Sequence, residues 1–328
     1  MRAQILPLAL SLALLAACAD DPEPPFAVEG TGRVTGRLFF DADNNGLFTP
    51  LGGDTLLRDV EVQLRERGSS VVIDEMTTDA NGAFDFEGIS PGTHDVFLVQ
   101  DTAVVKNLVF CVNPLRASVY RDETAFVTAP AKRGCVVRIN VAEALPLAAP
   151  VTVAGIVTAR QGTYRSDNTY IQDPTGGMQV FGLPGLNLQI GDSIEVSGVI
   201  GQFGGELQVN SPIVAPNRTA TTAPAPLERT TGAIAAAVTA LGAREPDVGR
   251  LLVVRHATVG TFASGNALLN DGSGAIQIRL DNNASSAIPT TTFVAGRCYD
   301  VVGILGFFNG TPQLKPRMLA DVTEVSCP

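Results

Sequence analysis

The sequence predicts an all-β protein with several domains. Short runs of Val, Ile and Leu alternate with clusters of Gly, Pro, Asn and Asp, a pattern typical of strands joined by turns. The 328 residues include 33 Gly and 21 Pro, and 45% of the chain is hydrophobic, which is enough for packed cores. Only Thr230 to Leu241, with its Ala-rich centre, has the composition of a helix. These observations favour sandwiches or barrels over helical layers.

Residues 1–17 are predicted to be a signal peptide. Arg2 precedes an apolar run from Ile5 to Ala17, shorter than the about 20 residues that a membrane-spanning helix needs. The run ends in Leu-Ala-Ala-Cys, with Cys18 at the cleavage point. This sequence resembles the bacterial lipobox, in which that cysteine is acylated and becomes the mature N-terminus. The alternative is an ordinary secreted protein in which Cys18 occurs by chance.

The lipobox resemblance implies a location. The protein is expected to be exported and held on the cell envelope by lipid, with the acidic, Pro-rich residues 18–29 as a tether. Ala19 rather than Asp follows Cys18. In a cell with two membranes this pattern resembles that of lipoproteins delivered to the outer membrane.

The other four cysteines are predicted to form two disulfides. Four cysteines allow three pairings. Because each close pair falls in one half of the chain, we predict Cys111–Cys135 and Cys298–Cys327. An oxidising compartment permits both bonds. A zinc site is the rival use, but no C-x2-C spacing is present.

Residues 30–140 carry two motifs. Gly36–Gly46 ends in Asp-Ala-Asp-Asn-Asn-Gly, and Thr77–Phe86 contains Asp-Ala-Asn-Gly between two alternating apolar segments. Together they resemble the SdrD-like B domain of Gram-positive surface adhesins, a relative of prealbumin-like and Cna-B domains. The resemblance implies an immunoglobulin/prealbumin-like sandwich that acts as a stalk or spacer.

The acidic loop of this domain has the residue types of a calcium site. Oxygen ligands at alternate positions, followed by Gly46 for a sharp turn, suit Ca²⁺. The twelfth position is Gly52 where a bidentate acid is expected, so Asp54 or Asp59 would have to replace it. The candidate ligands are Asp41, Asp43, Asn45, the carbonyl of Leu47, and Asp54. Two interpretations stay open: calcium as the cofactor, or an acidic loop that holds no metal.

The second half of the chain contains a repeat. After a linker at residues 141–150, the segment Ile171–Val180 returns as Leu269–Ile278 at an offset of 98 residues. Gly191–Ile200 returns as Gly296–Leu305 at an offset of 105. Each unit has Gly-punctuated strands that favour a small closed barrel. The predicted barrels span residues 151–226 and 227–328.

The barrel sequences also resemble a known domain. The string from Tyr170 to Phe181, followed by Gly191–Gly198, is similar to the OB-fold domain found beside secreted nucleases of the YhcR type. The resemblance implies two OB-like barrels, and fold alone does not assign their function. The residues predicted to form a ligand face are Tyr164, Arg165, Tyr170, Phe203, Arg279, Lys315 and Arg317.

Charge disfavours nucleic acid as the partner. The net charge is −10, of which residues 19–146 carry −9 and residues 147–328 carry −2, with Arg2 supplying +1. A surface of this balance releases few counterions from nucleic acid, and that release supplies most non-specific affinity. Aromatic side chains of OB barrels usually stack on bases, but we expect Phe181, and Phe307 or Phe308, to be core residues.

No enzyme is predicted. The two histidines, His94 and His256, fall in different predicted domains, and neither a G-x-S-x-G motif nor a phosphate-binding loop is present. The leading hypothesis is therefore a membrane-anchored surface protein that binds or scaffolds an extracellular polymer or protein. The alternative is capture of extracellular single-stranded nucleic acid for a partner nuclease. The oligomeric state is not predicted.

Overall fold

The computed structural model describes residues 30–101, 108–215, 219–281 and 288–328. The predicted signal peptide, Cys18 and the tether at residues 18–29 lie outside these residues. The described chain is nearly all strand and forms one sandwich followed by two small barrels, so the all-β prediction is confirmed. None of its helices combines the length and hydrophobicity that a membrane span needs.

The first domain is a sandwich of two sheets. In the five-stranded sheet, β1 is parallel to β9 and antiparallel to β2 and β5, and β7 pairs with β9; the other sheet has the order β4-β3-β6-β8. Alternate side chains such as Val62 and Leu64, and Phe84 and Phe86, fill the space between the sheets. The strands are β1 (Gly32–Phe40), β2 (Thr55–Leu56), β3 (Glu61–Glu66), β4 (Val72–Thr77), β5 (Ala83–Ile89), β6 (Gly92–Leu98), β7 (Val109–Phe110), β8 (Leu115–Val119) and β9 (Thr124–Lys132).

The chain leaves the sandwich earlier than the sequence indicates. Strand β10 (Val136–Val137) pairs with the first strand of the first barrel, and a short helix, α1 (Ile139–Glu143), follows it. Ile139 is buried in the core of that barrel. From the sequence these residues are predicted to belong to the sandwich and the linker, because the short run from Val136 to Ile139 has the same apolar pattern in either context.

Both predicted disulfides are present. Cys111 and Cys135 are bonded with Cα atoms 5.2 Å apart, and so are Cys298 and Cys327. The first bond joins the end of β7 to the residue before β10, and so ties the sandwich to the start of the first barrel. Two disulfides fit an oxidising compartment outside the cytoplasm.

The two barrels share one strand order. The main strands of each barrel pair in the order first, second, third, fifth, fourth; the third and fifth are parallel, and the fourth returns to the first to close the barrel. Barrel 1 contains β11 (Pro150–Ala159), β12 (Asn168–Gln172), β13 (Gly177–Phe181), β14 (Asp192–Phe203) and β15 (Glu206–Val214), with β16 (Thr219–Ala220) beside β14. Barrel 2 contains β17 (Leu227–Glu228), α2 (Thr231–Leu241), β18 (Leu251–Val259), β19 (Asn266–Asn270), β20 (Ala275–Arg279), β21 (Cys298–Phe308), β22 (Thr311–Lys315) and β23 (Val322–Val325).

The predicted helix is confirmed. Helix α2 begins after Thr230, whose side-chain oxygen accepts a hydrogen bond from the Ala233 backbone N–H at 3.2 Å, an N-cap interaction. Ile234 and Val238 on its buried face pack against the core of barrel 2. Each barrel core is thus packed against the short helix that precedes its first strand.

The two barrels pack directly against each other. A buried cluster that contains Ala159 and Tyr170 of barrel 1 and Leu251 and Ile304 of barrel 2 lies between them. The Leu251 backbone N–H donates to the Gln172 side-chain oxygen at 3.0 Å. Because these contacts join specific atoms of the two units, the barrels present their facing surfaces in one defined arrangement.

Candidate functional site between the two barrels

A cleft of about 690 Å³ lies between the barrels. This volume is within the usual range for pockets that bind small molecules or short polymer segments. Several of its lining residues occupy equivalent positions in the two repeats, so both barrels turn the same face toward the cleft. The equivalent pairs are Asn168 and Asn266, Phe181 and Arg279, Phe203 and Phe308, and Gln208 and Gln313.

A buried polar triad crosses the floor of the cleft. The Tyr170 hydroxyl donates to Glu206 Oε1 at 2.6 Å, and Lys315 Nζ donates to the Tyr170 hydroxyl oxygen at 2.5 Å. Lys315 Nζ also lies 3.7 Å from Glu206 Oε2, which accepts the Phe307 backbone N–H at 2.8 Å. Because Tyr170 and Glu206 belong to barrel 1 and Lys315 to barrel 2, the triad links the barrels.

The lysine of the triad lies near two aromatic rings. Lys315 Nζ lies 4.6 Å from the centroid of the Tyr170 ring and 5.1 Å from that of Tyr164, distances at which a cation is attracted to a ring face. Burial, followed by the nearby Glu206 charge, raises the pKa of Tyr170 well above its usual value. Tyr170 is therefore a neutral hydrogen-bond donor at ordinary pH.

Two exposed aromatic rings line the cleft, Phe203 from barrel 1 and Phe308 from barrel 2. The centroids of Phe203 and Phe308 are 5.9 Å apart, with the rings tilted by 41°. Phe203 is 62% exposed and Phe308 is 41% exposed. Exposed rings in contact across an interface form an apolar surface to which a ligand can bind.

The cations at the cleft already have carboxylate partners. Arg165 Nε lies 3.3 Å from Asp167, and Arg279 Nη2 lies 3.4 Å from Asp281. Together with the ion pair of Lys315 in the triad, these contacts balance each cleft cation with an anion. The cleft therefore has little local excess of positive charge.

Six of the seven residues predicted as a ligand face line this one cleft: Tyr164, Arg165, Tyr170, Phe203, Arg279 and Lys315. Arg317 does not, because its guanidinium pairs with Asp321 at 2.8 Å and donates to the Thr158 carbonyl at 2.7 Å. Whether the face binds a ligand stays a prediction.

The structure differs from the sequence analysis on the aromatic residues. Phe181 was expected in the barrel core, but Met178 and Val180 fill the core while Phe181 lines the cleft, with the Arg165 guanidinium 5.4 Å from its ring centroid. Tyr164 and Tyr170 are buried instead of exposed for stacking. The alternation of side chains along a strand identifies its two faces. It does not show which part of the outer face is covered by a second barrel.

Two kinds of cleft residue were not predicted. Glu206 lies at a strand start and has no distinguishing local pattern. The glutamines do have one: Gln179 is paired in register with Gln208, and the equivalent Gln277 with Gln313. A polar residue type that recurs at both repeat offsets could have been recognised as part of a shared face.

The acidic loop of the sandwich brings three of its predicted ligands together. Carboxylate oxygens of Asp41, Asp43 and Asp54 lie within 4.8 Å of one another. Asp54 accepts the backbone N–H groups of Ala42 and Thr49. Oxygen atoms this close suit a hard cation, so the residues present fit calcium.

The same loop also has internal partners. Lys132 Nζ lies 3.8 Å from Asp41 Oδ2, and the Asn45 side-chain oxygen accepts the Leu47 backbone N–H at 2.6 Å. Burial raises the pKa of Asp41, against the effect of the Gly46 N–H and of Lys132. Asp59, the alternative acid for the twelfth position of the loop, lies beside Arg58 at the surface.

Comparison with known proteins gives little beyond fold. No protein family and no curated protein matches the sequence. Among solved structures, the minor pilin of Streptococcus agalactiae is 12% identical, with 33% of this chain and 47% of the pilin covered and a TM-score of 0.26. The major pilin SpaD of Corynebacterium diphtheriae is 11% identical over 53% of this chain and 40% of that chain, with a TM-score of 0.26. The major plantain pollen allergen is 15% identical over 31% and 94%, with a TM-score of 0.24. At these scores the likeness carries no functional inference.

Proposed function

We propose that this protein is a lipid-anchored, non-catalytic binding protein of the bacterial cell envelope, whose ligand site is the cleft between the barrels. The observation that carries the proposal is the cleft itself, which both repeats line with equivalent residues such as Gln208 and Gln313. A pocket with polar groups converging around an apolar surface is the usual form of a binding site. The sandwich would act as a spacer between the lipid and the barrels.

The anchoring part of the proposal predicts fatty acylation at Cys18. In cells given radiolabelled palmitate, the full-length protein is expected to incorporate label and a Cys18→Ala variant is expected to lose it completely. The Asp21→Asn variant, which changes the tether but leaves the lipobox intact, is the matched control and should keep the label. An unlabelled natural protein that begins at a residue other than Cys18 would contradict the proposal.

A second proposal concerns calcium at the acidic loop. The full-length protein is expected to melt at a higher temperature in calcium than in EDTA, with a gain of about 2.7 kcal/mol when calcium exceeds its Kd about 100-fold. An Asp43→Asn variant should lose this difference, because it removes one of the three clustered carboxylates. An Asp74→Asn variant, at an exposed strand position of the same domain, should keep it. Equal melting temperatures of the natural protein in calcium and EDTA would contradict the proposal.

A further inference from the structure

We infer that the cleft between the barrels binds a neutral carbohydrate chain. This inference rests on the proposed function and specifies its ligand class. It follows from three features of the cleft: a concentration of side-chain amides, a pair of exposed aromatic rings, and cations that are already paired.

The amides provide the hydrogen-bonding groups that sugar hydroxyls need. Each Gln or Asn side chain offers donors and an acceptor on one planar group, and a hydroxyl can use both kinds. Gln179, Gln313 and Asn266 are partly exposed at the cleft. No described residue is a hydrogen-bond partner of the Gln179 side chain, and Gln313 Nε2 donates to Gln277 at 2.9 Å, which orients its amide.

The aromatic pair suits the apolar face of a sugar ring. Phe203 and Phe308 are the exposed rings at the cleft. The face of an aromatic ring carries negative potential, and the C–H groups on one face of a sugar carry partial positive charge. A sugar placed on these rings can therefore turn its hydroxyls toward the amides.

The charges at the cleft favour a neutral ligand over nucleic acid and over acidic glycans. A polyanion would need cations free to contact its phosphates or carboxylates. At this cleft Arg165, Arg279 and Lys315 each face a carboxylate within 3.7 Å. An incoming anion would be repelled by these carboxylates and would compete with them for the cations, whereas a neutral chain leaves the pairs intact.

The barrel topology argues against an extended peptide as the ligand. Extended peptides commonly add a strand to an open sheet edge. The strands that line the cleft are β12, β13, β14 and β15 in barrel 1 and β19, β20, β21 and β22 in barrel 2, and each pairs with a neighbour on both sides. Their backbone groups are used within the barrels, and side chains alone are left to contact the ligand.

The test is binding of the full-length protein to an immobilised panel. The panel holds neutral glycans (dextran, mannan and chito-oligosaccharides), the acidic glycans heparin and alginate, single-stranded dT30, and an unstructured peptide library. Binding to at least one neutral glycan is expected, little changed between low and high salt because no charge neutralisation is involved. In Phe203→Ala and in Gln179→Ala the Kd for that glycan should rise about tenfold or more.

Two matched variants serve as controls. Phe126→Ala removes a ring that is 81% exposed on the sandwich, and Gln189→Ala removes an exposed glutamine of barrel 1 that does not line the cleft. Neither should change the Kd. The protein could instead bind dT30 or heparin in a salt-sensitive way, or bind peptide, and lose that binding in the cleft variants. This result would overturn the carbohydrate inference while the proposed function stands. No binding to any member of the panel would count against both, and so would glycan binding that the cleft variants leave unchanged.

Discussion

A Lys315→Met variant is expected to lower the free energy of unfolding by about 3 kcal/mol, because it leaves a buried carboxylate without its ammonium partner. Glu206 is 6% exposed, so water cannot replace the lost charge. The methionine keeps most of the side-chain volume, which limits any cavity. The variant therefore tests the charge of the triad and not its packing.

Urea denaturation followed by tyrosine fluorescence is a suitable measurement. The chain has no Trp, and three of its four tyrosines (Tyr164, Tyr170 and Tyr299) lie in the barrels. A Lys315→Met, Glu206→Gln double variant removes both charges and should recover much of the loss, giving a coupling energy of about 1 kcal/mol or more. If the single variant matched the natural protein to within about 0.5 kcal/mol, the buried pair would contribute nothing to the barrel interface.

Local features of the chain predicted most of the fold. The alternation of apolar residues and the glycines between strands predicted the strands, the repeat predicted two similar barrels, and the Ala-rich composition predicted helix α2. The sandwich was implied by the resemblance of the motifs in residues 30–140 to SdrD-like B domains. The exception is the segment from Val136 to Glu143. Its few apolar residues fit a strand of either domain, and only the completed first barrel provides the core that buries Ile139.

Most residues of the candidate site were predicted from the sequence, but the way in which the two barrels bring them together was not. Tyr170 and Leu268 are equivalent residues of the repeat, yet Tyr170 is 1% exposed and Leu268 is 61% exposed. Both barrels turn this face toward the cleft, but the second barrel covers Tyr170 while the first leaves the equivalent Leu268 uncovered. Such an asymmetric contact depends on surfaces far apart in sequence, so neither repeat alone contains the information.

The same limit explains why the triad of Tyr170, Glu206 and Lys315 was not predicted. Glu206 and Lys315 each resemble an ordinary charged residue at the end of a strand, a place where solvent exposure is the usual outcome. Their interaction exists only because the barrels meet at this face. Substitutions at the contacts between the barrels are consequently the most informative about what holds the barrels together.

One of these contacts lies between two backbones. Gly249 of barrel 2 and Gly177 of barrel 1 approach so closely that a Cβ on Gly249 would lie 2.2 Å from the Gly177 carbonyl oxygen. A Gly249→Ala variant is therefore expected to force the barrels apart at this point. Because overpacking of a close contact costs about 1–3 kcal/mol, the barrel transition in urea should shift by that amount beyond the cost of backbone strain.

Gly296→Ala provides the control for that strain. Gly249 has a φ of +82° and Gly296 a φ of +84°, so a positive φ disfavours alanine at both positions. A Cβ on Gly296 would meet nothing within 4 Å. The difference between the two variants thus measures the barrel contact alone. Equal destabilisation by the two substitutions would mean that the barrels tolerate separation at Gly177, and that the shared cluster around Tyr170 and Leu251 holds them together without this contact.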